Sequence, residues 1–451
     1  MKLSRFDYIV WGAIALIVII LLGVLLLGDR VGAQVAGSLP SDGGEIGGAG
    51  RIGLEFAQPM QAESVESRFS VEPATSGQFS WDGQTVWFTP DAPLEPGQQY
   101  TARLKAGAVS AQGRQTKTET VWRFTVRQPS ILYIAPTDAR ELWRKPLDGE
   151  PEQLTSTAGN VYDFAVSPDG SQIAYSVVND ENGVDLWLMT DRGADGHILV
   201  DCKLDRCSVP SWSPDGKRLA YSRENSGIAP GAPPGPPRAW LADSATGQTT
   251  TLYQDQQVLG YGPSWSPDGR RIALLDGIIG GIRVLDLQTQ EELILPTQMG
   301  LVGSWSPDGN SMLFNDLSLT ESQPLVKMFL ADFTTRQINT AFDKSTASMD
   351  YGVPTWSPTG EWVAVGVRLA DGGPGSQLWI MRPDGSDARA VTDDPRFTCG
   401  SFHWDSWGRN IVFQRFELGV PFAKPEIMLW SADTGEIQVI ARDASLPNWL
   451  P

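Results

Sequence analysis

One five-residue turn recurs through the last two-thirds of the chain, and it decides what the chain can fold into. Val-Ser-Pro-Asp-Gly stands at 166–170, and Trp-Ser-Pro-Asp-Gly at 212–216, 265–269 and 305–309. Thr replaces Asp in the copy at 356–360, and a degraded copy, Trp-Asp-Ser-Trp-Gly, occupies 404–408. Successive glycines lie 40 to 53 residues apart. A turn motif returning at that period marks a repeat fold. The chemistry of the motif is that of a turn. Pro168, Pro214, Pro267, Pro307 and Pro358 preset φ at the first central position, and Asp169, Asp215, Asp268 and Asp308 tolerate the second. Gly170, Gly216, Gly269, Gly309 and Gly360 supply the positive φ that the hairpin needs. Residues repeated for that purpose are structural in every copy.

Each turn sits between two short apolar-alternating runs, and two further runs follow before the next turn. Four antiparallel strands in about 46 residues make a propeller blade. Six turns point to six blades, but the ends of the chain point to seven. Residues 131–135, 141–146 and 152–155 read as second, third and fourth strands with no innermost strand before them. Residues 445–449 (Ser-Leu-Pro-Asn-Trp) match the innermost strand at 208–212 (Ser-Val-Pro-Ser-Trp). The last strand therefore supplies what the first blade lacks, and the ring closes without open edges. The expectation is an all-β chain with a seven-bladed β-propeller over 129–451, six blades being the alternative. The recurring Trp212, Trp265, Trp305, Trp356 and Trp404 are expected to fill the wedges between blades.

Over these 323 or so residues the segment resembles the TolB-like propellers, relatives of the WD-repeat family with Ser-Pro-Asp-Gly turns. The resemblance implies periplasmic protein or peptide binding. TolB itself has six blades, so the count here departs from it. Similar blades also stand in front of serine peptidase domains, but no Gly-x-Ser-x-Gly is present.

The first 128 residues read differently. Residues 9–28 are 20 uncharged, apolar residues, enough to span a bilayer as a helix. The alternative is a cleaved signal peptide, whose apolar core is shorter. Lys2 and Arg5 precede the run, which places the short tail 1–8 in the cytoplasm and the rest outside the cell membrane. Residues 29–46 are small, polar and Gly-rich and read as a flexible linker. Period-2 runs over 47–128 predict an antiparallel β-sandwich with Phe56, Phe69, Trp81, Phe88, Tyr100 and Phe124 in its core. Leu54-Glu-Phe56 with Pro59-Met60, Trp87-Phe88-Thr-Pro90, Leu94-Glu-Pro-Gly97 and Phe124-Thr-Val126 resemble the bacterial Ig-like domains of the SbsA type. That resemblance implies an extracytoplasmic spacer or adhesive module without catalysis.

The net charge is −18, which repels phosphate backbones and argues against nucleic acid as a partner. Three cysteines and two histidines show no zinc-site spacing, and neither cofactor nor metal is expected. Cys202 and Cys207 lie five apart in one loop. A local disulfide, free thiols and pairing with Cys399 are the alternatives. His403, next to Trp404 on an innermost strand, reads as a hydrogen-bonded structural residue. In WD-type blades the loops joining fourth to first strands and second to third strands share one face, opposite the Ser-Pro-Asp-Gly turns. Two such loops flank the last blade and carry Phe397, Phe416 and Phe422, a candidate exposed apolar patch for a partner. The expected function is that of a membrane-anchored, extracytoplasmic binding or scaffold protein, not an enzyme, whose loop face holds a protein, peptide or glycan. The alternative is a propeller hydrolase or lyase acting on glycans or esters through channel carboxylates.

Overall fold

The computed structural model describes residues 11–20, 22, 32–227, 233–255, 257–319, 325–342, 349–369 and 373–451. The chain divides into two compact units, Met1–Ile46 with Gly50–Arg127, and Gly47–Ala49 with Gln128–Pro451.

The first unit is a sandwich of two four-stranded sheets. One sheet runs in the order Val35–Leu39, Ile52–Phe56, Thr85–Pro90, Gly77–Asp82. The other runs Gly44–Ile46, Thr120–Val126, Gln99–Leu104, Phe69–Glu72. Strict alternation along these strands turns Ile52, Leu54 and Phe56 inward against Trp122, Phe124 and Val126. Tyr100 and Phe88 are buried with them, and Phe69 and Trp81 are partly buried against the same core. Phe69 is ringed by Phe79, Phe88 and Trp122, with centroids 5.5, 5.6 and 5.9 Å away.

The linker expected at 29–46 is corrected by this sandwich. Val35–Leu39 pairs antiparallel with Ile52–Phe56, and Gly44–Ile46 pairs parallel with Thr120–Val126. Small and polar side chains do not prevent a strand when the backbone N–H and C=O groups find a sheet edge to bond. Val35 and Ile46 still reach the core.

Of the apolar run 9–28, residues 11–20 are helical with every side chain exposed. Most of the remainder lies outside the described residues, and no described helix is long and apolar enough to cross a membrane.

The second unit is a β-propeller built from four-stranded antiparallel meanders. The innermost strands are Val161–Val166, Arg206–Trp212, Tyr261–Trp265, Ser304–Trp305, Met349–Trp356 and Phe397–Trp404. Each is followed by its second, third and outer strand. The meanders starting at Val161 and Arg206 are joined into one sheet by the parallel pair Val184↔Arg206. One further sheet runs in the order Glu152–Gln153, Glu141–Pro146, Ser130–Ala135, Ser445–Leu450. Its innermost strand is the C-terminal one, in the register Ser445↔Ile134, Asn448↔Leu132, Trp449↔Ile131, Leu450↔Ser130.

The apolar cores lie between neighbouring meanders. Trp212 packs with Ala174, Leu186 and Leu188 of the preceding meander, and Trp404 with Ala364, Leu378 and Ile380. The circuit ends where Trp449 packs with Val412, Ile427 and Leu429. Leu450 meanwhile faces Val161 and Ile173 on the other side. The wedge role expected of the tryptophans is what the structure shows.

In the turns the Asp side chain is a hub. The Ser306 hydroxyl donates to Asp308 Oδ1 at 2.6 Å, and the Asn310 N–H donates to the same oxygen at 3.0 Å. The Ser306 Oγ in turn accepts the Ser311 N–H at 2.9 Å, opening the next strand. The same set recurs at Ser213, Asp215, Lys217 and Arg218. Gly309 has φ +69° and closes the turn. These bonds hold the Asp308 carboxyl below the usual carboxylate range, the Ser306 hydroxyl acting first.

Innermost strands carry a second repeated device. A bulge interrupts the register between Ser208 and Ser211, Tyr261 and Ser264, Gly400 and His403, and Ser445 and Asn448. Val209, Gly262, Ser401 and Leu446 have positive φ there. The freed N–H groups bond a neighbouring meander: Val209 N–H to Asp163 Oδ2 at 2.7 Å, Gly262 N–H to Ser222 Oγ at 2.9 Å, Leu446 N–H to Gln414 Oε1 at 3.0 Å.

Candidate partner-binding face

An antiparallel meander puts its first and third connections at one end and its second connection, with the link to the next meander, at the other. The two ends of this propeller differ sharply. The Ser-Pro-Asp-Gly turns and the third-to-outer connections expose no large apolar side chain among the described residues. The opposite end exposes Leu204, Ile278, Ile279, Leu301, Leu319, Val420 and Phe422 on its loops, with Leu369 and Phe416 at strand ends. Ile198, Ile338 and Ile437, at or next to the first residue of outer strands, are also exposed; it is the apolar side chains borne on loops that are found at one end alone among the described residues.

The three-phenylalanine patch is corrected in part. Phe422 is 97% exposed at φ +57° in the loop between Asn410–Glu417 and Glu426–Ser431. Phe416 is exposed at the end of Asn410–Glu417. Phe397 is not part of an open patch. In the register, Phe397 faces Glu417 and Thr398 faces Phe416, so Phe397 and Phe416 point to opposite sides of the sheet. The Phe397 ring is covered by guanidinium groups, Arg415 at 4.1 Å and Arg396 at 5.6 Å from its centroid.

Cys202 and Cys207 are joined by a disulfide, with their Cα atoms 6.3 Å apart. Cys399 is the free, buried thiol, and burial pushes its pKa up. The bridged loop is anchored further by Asp185 Oδ1, which accepts the Cys202 N–H at 2.8 Å. Asp205 Oδ2 pairs with the Arg223 guanidinium at 2.8 Å. Arg206, between the pinned ends, lies over the Tyr162 ring, 5.5 Å from its centroid.

Arg140 holds the backbone at Tyr162. Its Nε donates to the Val161 carbonyl at 2.8 Å and its NH2 to the Tyr162 carbonyl at 2.5 Å. Burial lowers the Arg140 pKa, and the nearby Asp163 carboxylate opposes that shift. Tyr261, at the start of the innermost strand after Arg206–Trp212, has its phenol pKa raised by burial first and then by Tyr162, Asp163 and Glu224. Tyr162 and Tyr261 remain 38% and 39% exposed. None of these four residues belongs to a motif. Their one signal in sequence is a position, the loop-face end of an innermost strand or the loop beside it.

The seam where the ring closes is polar on this face. Asp443 Oδ1 accepts the Thr137 N–H at 3.1 Å and its hydroxyl at 2.5 Å, while Lys424 reaches Asp443 Oδ2 at 2.9 Å. The Thr137 hydroxyl foremost holds the Asp443 carboxyl below its usual range. His403 is half-buried, and burial pushes its imidazole down to about 4, so the ring is neutral at pH 7. The described innermost strands carry two carboxylates, Asp163 and Asp350. Asp163 accepts the Ser176 hydroxyl and the Val209 N–H, and Asp350 accepts the Val326 N–H and pairs with Arg368. Both are engaged in holding the fold. No group of three metal-ligating side chains occurs among the described residues.

Residues 29–126 match the family model of bacterial Ig-like domains. Over those residues the first unit is similar to bacterial Ig-like domains. The match begins within the segment expected as linker, in agreement with the strands found there. The second unit is similar to known proteins at low identity. The uncharacterized peptidase YuxL of Bacillus subtilis is 25% identical over 222 residues, 47% of this chain and 30% of that protein. The chain thus spans under a third of that relative's length. TolB from Acinetobacter baumannii covers 72% of this chain and 83% of its own at 18% identity and a TM-score of 0.44. A prolyl endopeptidase structure covers 85% of this chain and 51% of its own at 13% identity and a TM-score of 0.51. The likeness to the prolyl endopeptidase is one of fold alone.

Proposed function

We propose that this chain is a membrane-anchored extracytoplasmic binding protein, in which the loop face of the propeller holds a protein, peptide or glycan partner. The observation that carries this reading is the asymmetry of the two faces: exposed large apolar loop residues lie on one and not on the other. A face kept apolar against the cost of hydrating it is a face that is covered in use. We read the four-stranded sheets as seven blades, closed by strands from both ends of the second unit. Anchoring rests on the apolar run 9–28 and on a helical segment 11–20 that exposes Trp11, Leu16, Ile17, Ile19 and Ile20 all round. A glycan- or ester-cleaving enzyme is less well supported, because Asp163 and Asp350 are both committed to structural bonds.

Photo-crosslinking in native membranes tests the reading. A benzoylphenylalanine placed at Ile278, Leu319 or Phe422 is expected to trap a partner, and one placed at Lys217 or Asn310 is not. Equal trapping from both faces would overturn it. Resistance of the full chain to carbonate extraction tests the anchor, and release into the soluble fraction would remove it.

A further inference from the structure

Arg140 and Arg206 are unusual in this chain. The chain carries 53 acidic residues against 35 basic ones, and most arginines of the propeller are in ion pairs or bonded to a carboxylate. Among the described residues no carboxylate is in an ion pair with Arg140 or with Arg206. Glu224 stands opposite Arg206 in the strand register and still makes no pair with it. Arg206 meets the face of Tyr162, and Arg140 grips the carbonyls on either side of that residue's backbone. The two guanidiniums therefore converge on one tyrosine that is itself open to solvent. Tyr261 offers a second exposed ring from the innermost strand that follows the one starting at Arg206. The disulfide and the Asp205–Arg223 pair fix the loop that presents Arg206. A planar guanidinium with free donors beside an aromatic wall is suited to a carboxylate, which it binds through two parallel hydrogen bonds.

We propose that Arg140, Arg206, Tyr162 and Tyr261 form a carboxylate-binding site, and that the partner of the loop face is a polypeptide that seats an acidic segment there. This rests on the loop face being the binding face. Leu204, two residues before Arg206, and Ile278 and Ile279, on the connection leaving the strand that pairs with Tyr261, are exposed and supply the apolar ground on which the flanking residues of such a segment lie. The net charge of −18 repels acidic chains elsewhere on the surface, so Arg206, which no carboxylate pairs, selects where one is accepted, with Arg140, whose charge is shared with Asp163, beside it.

The test uses the full chain in detergent micelles and three fluorescein-labelled octapeptides, read by fluorescence anisotropy. One carries two Asp and two Leu and is amidated. The second has Asn for Asp. The third has neutral side chains and a free C-terminal carboxylate. The Asp peptide is expected to bind about tenfold or more tighter than its Asn counterpart. Arg206→Gln, which leaves no hydrogen-bond partner stranded, is expected to abolish that ratio, and Arg206→Lys to restore only part of it. Arg140→Gln acts in the same direction, with its thermal midpoint measured alongside because Arg140 also holds two backbone carbonyls. If the third peptide binds like the Asp peptide, the site takes a chain terminus; if it binds like the Asn peptide, the site takes a side chain. Equal binding of Asp and Asn peptides, a ratio that survives Arg206→Gln, or no saturable binding of any peptide overturns the proposal. Failure of the two readings is separable. Loss of both peptides on Ile278→Ser with no Asp preference leaves the face and removes the site. A preserved preference with crosslinks only from the turn face removes the face and leaves the site.

Discussion

The indole Nε1 of Trp449 donates to the backbone carbonyl of His403 at 2.9 Å. Trp212 makes the equivalent bond to Ala165 at 3.2 Å, and Trp404 to Thr355 at 3.2 Å. In each case the acceptor is the residue just before the aromatic or Val position of the preceding innermost strand. The C-terminal strand thus places its Trp as Arg206–Trp212 and Phe397–Trp404 place theirs, whereas the indole N–H groups of Trp265, Trp305 and Trp356 are buried without a partner.

Removing that strand should open the ring. Deletion of residues 443–451 exposes one edge of Ser130–Ala135 and uncovers Val412, Ile427 and Leu429. The expected result is a fall of more than about 10 °C in thermal midpoint or loss of a cooperative transition. Trp449→Ala alone should cost about 3–5 kcal/mol in urea unfolding. An unchanged midpoint after truncation would exclude closure by this strand.

Acid should destabilise the propeller through His403. Its folded-state pKa of about 4 lies below the usual value of 6.5. The unfolded chain therefore binds a proton before the folded one does. Stability is at its full value above pH 6.5 and is lost as the pH falls toward 4. For this group the loss is at most roughly 3 kcal/mol. His403→Gln should flatten the difference in unfolding free energy between pH 7 and pH 4. A variant with the same pH slope as the parent would remove His403 as the cause.

In the copy with Thr359 in place of Asp, the contacts of the hub are longer. The Ser357 and Thr359 hydroxyls lie 3.1 Å apart, and the Glu361 N–H reaches Thr359 at 3.4 Å, both longer than the bonds around Asp308. Asp308→Ala should cost about 1–2 kcal/mol. Thr359→Asp should stabilise by about 0.5–1 kcal/mol. Destabilisation by Thr359→Asp would show that the hub is not transferable between turns.

The disulfide closes a very short loop. In the chain-entropy picture, breaking it with Cys202→Ser and Cys207→Ser costs about 2 kcal/mol. The native protein should show no thiol reactive toward Ellman's reagent, because Cys399 is buried and its pKa is raised. One thiol should appear on unfolding without reductant. Three thiols there would mean that Cys202 and Cys207 are unpaired.

Much of the second unit was legible because its signals repeat. Pro, Asp and Gly at a fixed place in a turn report backbone geometry directly, and the Trp before them reports a wedge between sheets. The orphan strand at the C-terminus was legible because Ser445–Leu450 repeats the pattern of Arg206–Trp212. Residues 32–46 were misread because their pairing is made by the backbone, and Gly-rich composition says nothing about a waiting sheet edge. Phe397 was misplaced because sequence gives neither the register that turns it away from Phe416 nor the Arg415 that covers it. Arg140, Tyr162, Arg206 and Tyr261 were missed because each comes from a different repeat. Only the ring brings them together.

The pairing of Ser130–Ala135 with Ser445–Leu450 also sets an order of events in synthesis. The first strand leaves the ribosome roughly three hundred residues before its partner exists. At about 5–20 residues per second, that is a wait of tens of seconds. During it, Ile131, Leu132 and Ile134, all fully buried at the end, belong to a strand with one bare edge. The latch that makes the finished ring seamless is also what keeps the propeller unfinished until Ser445–Leu450 has been made.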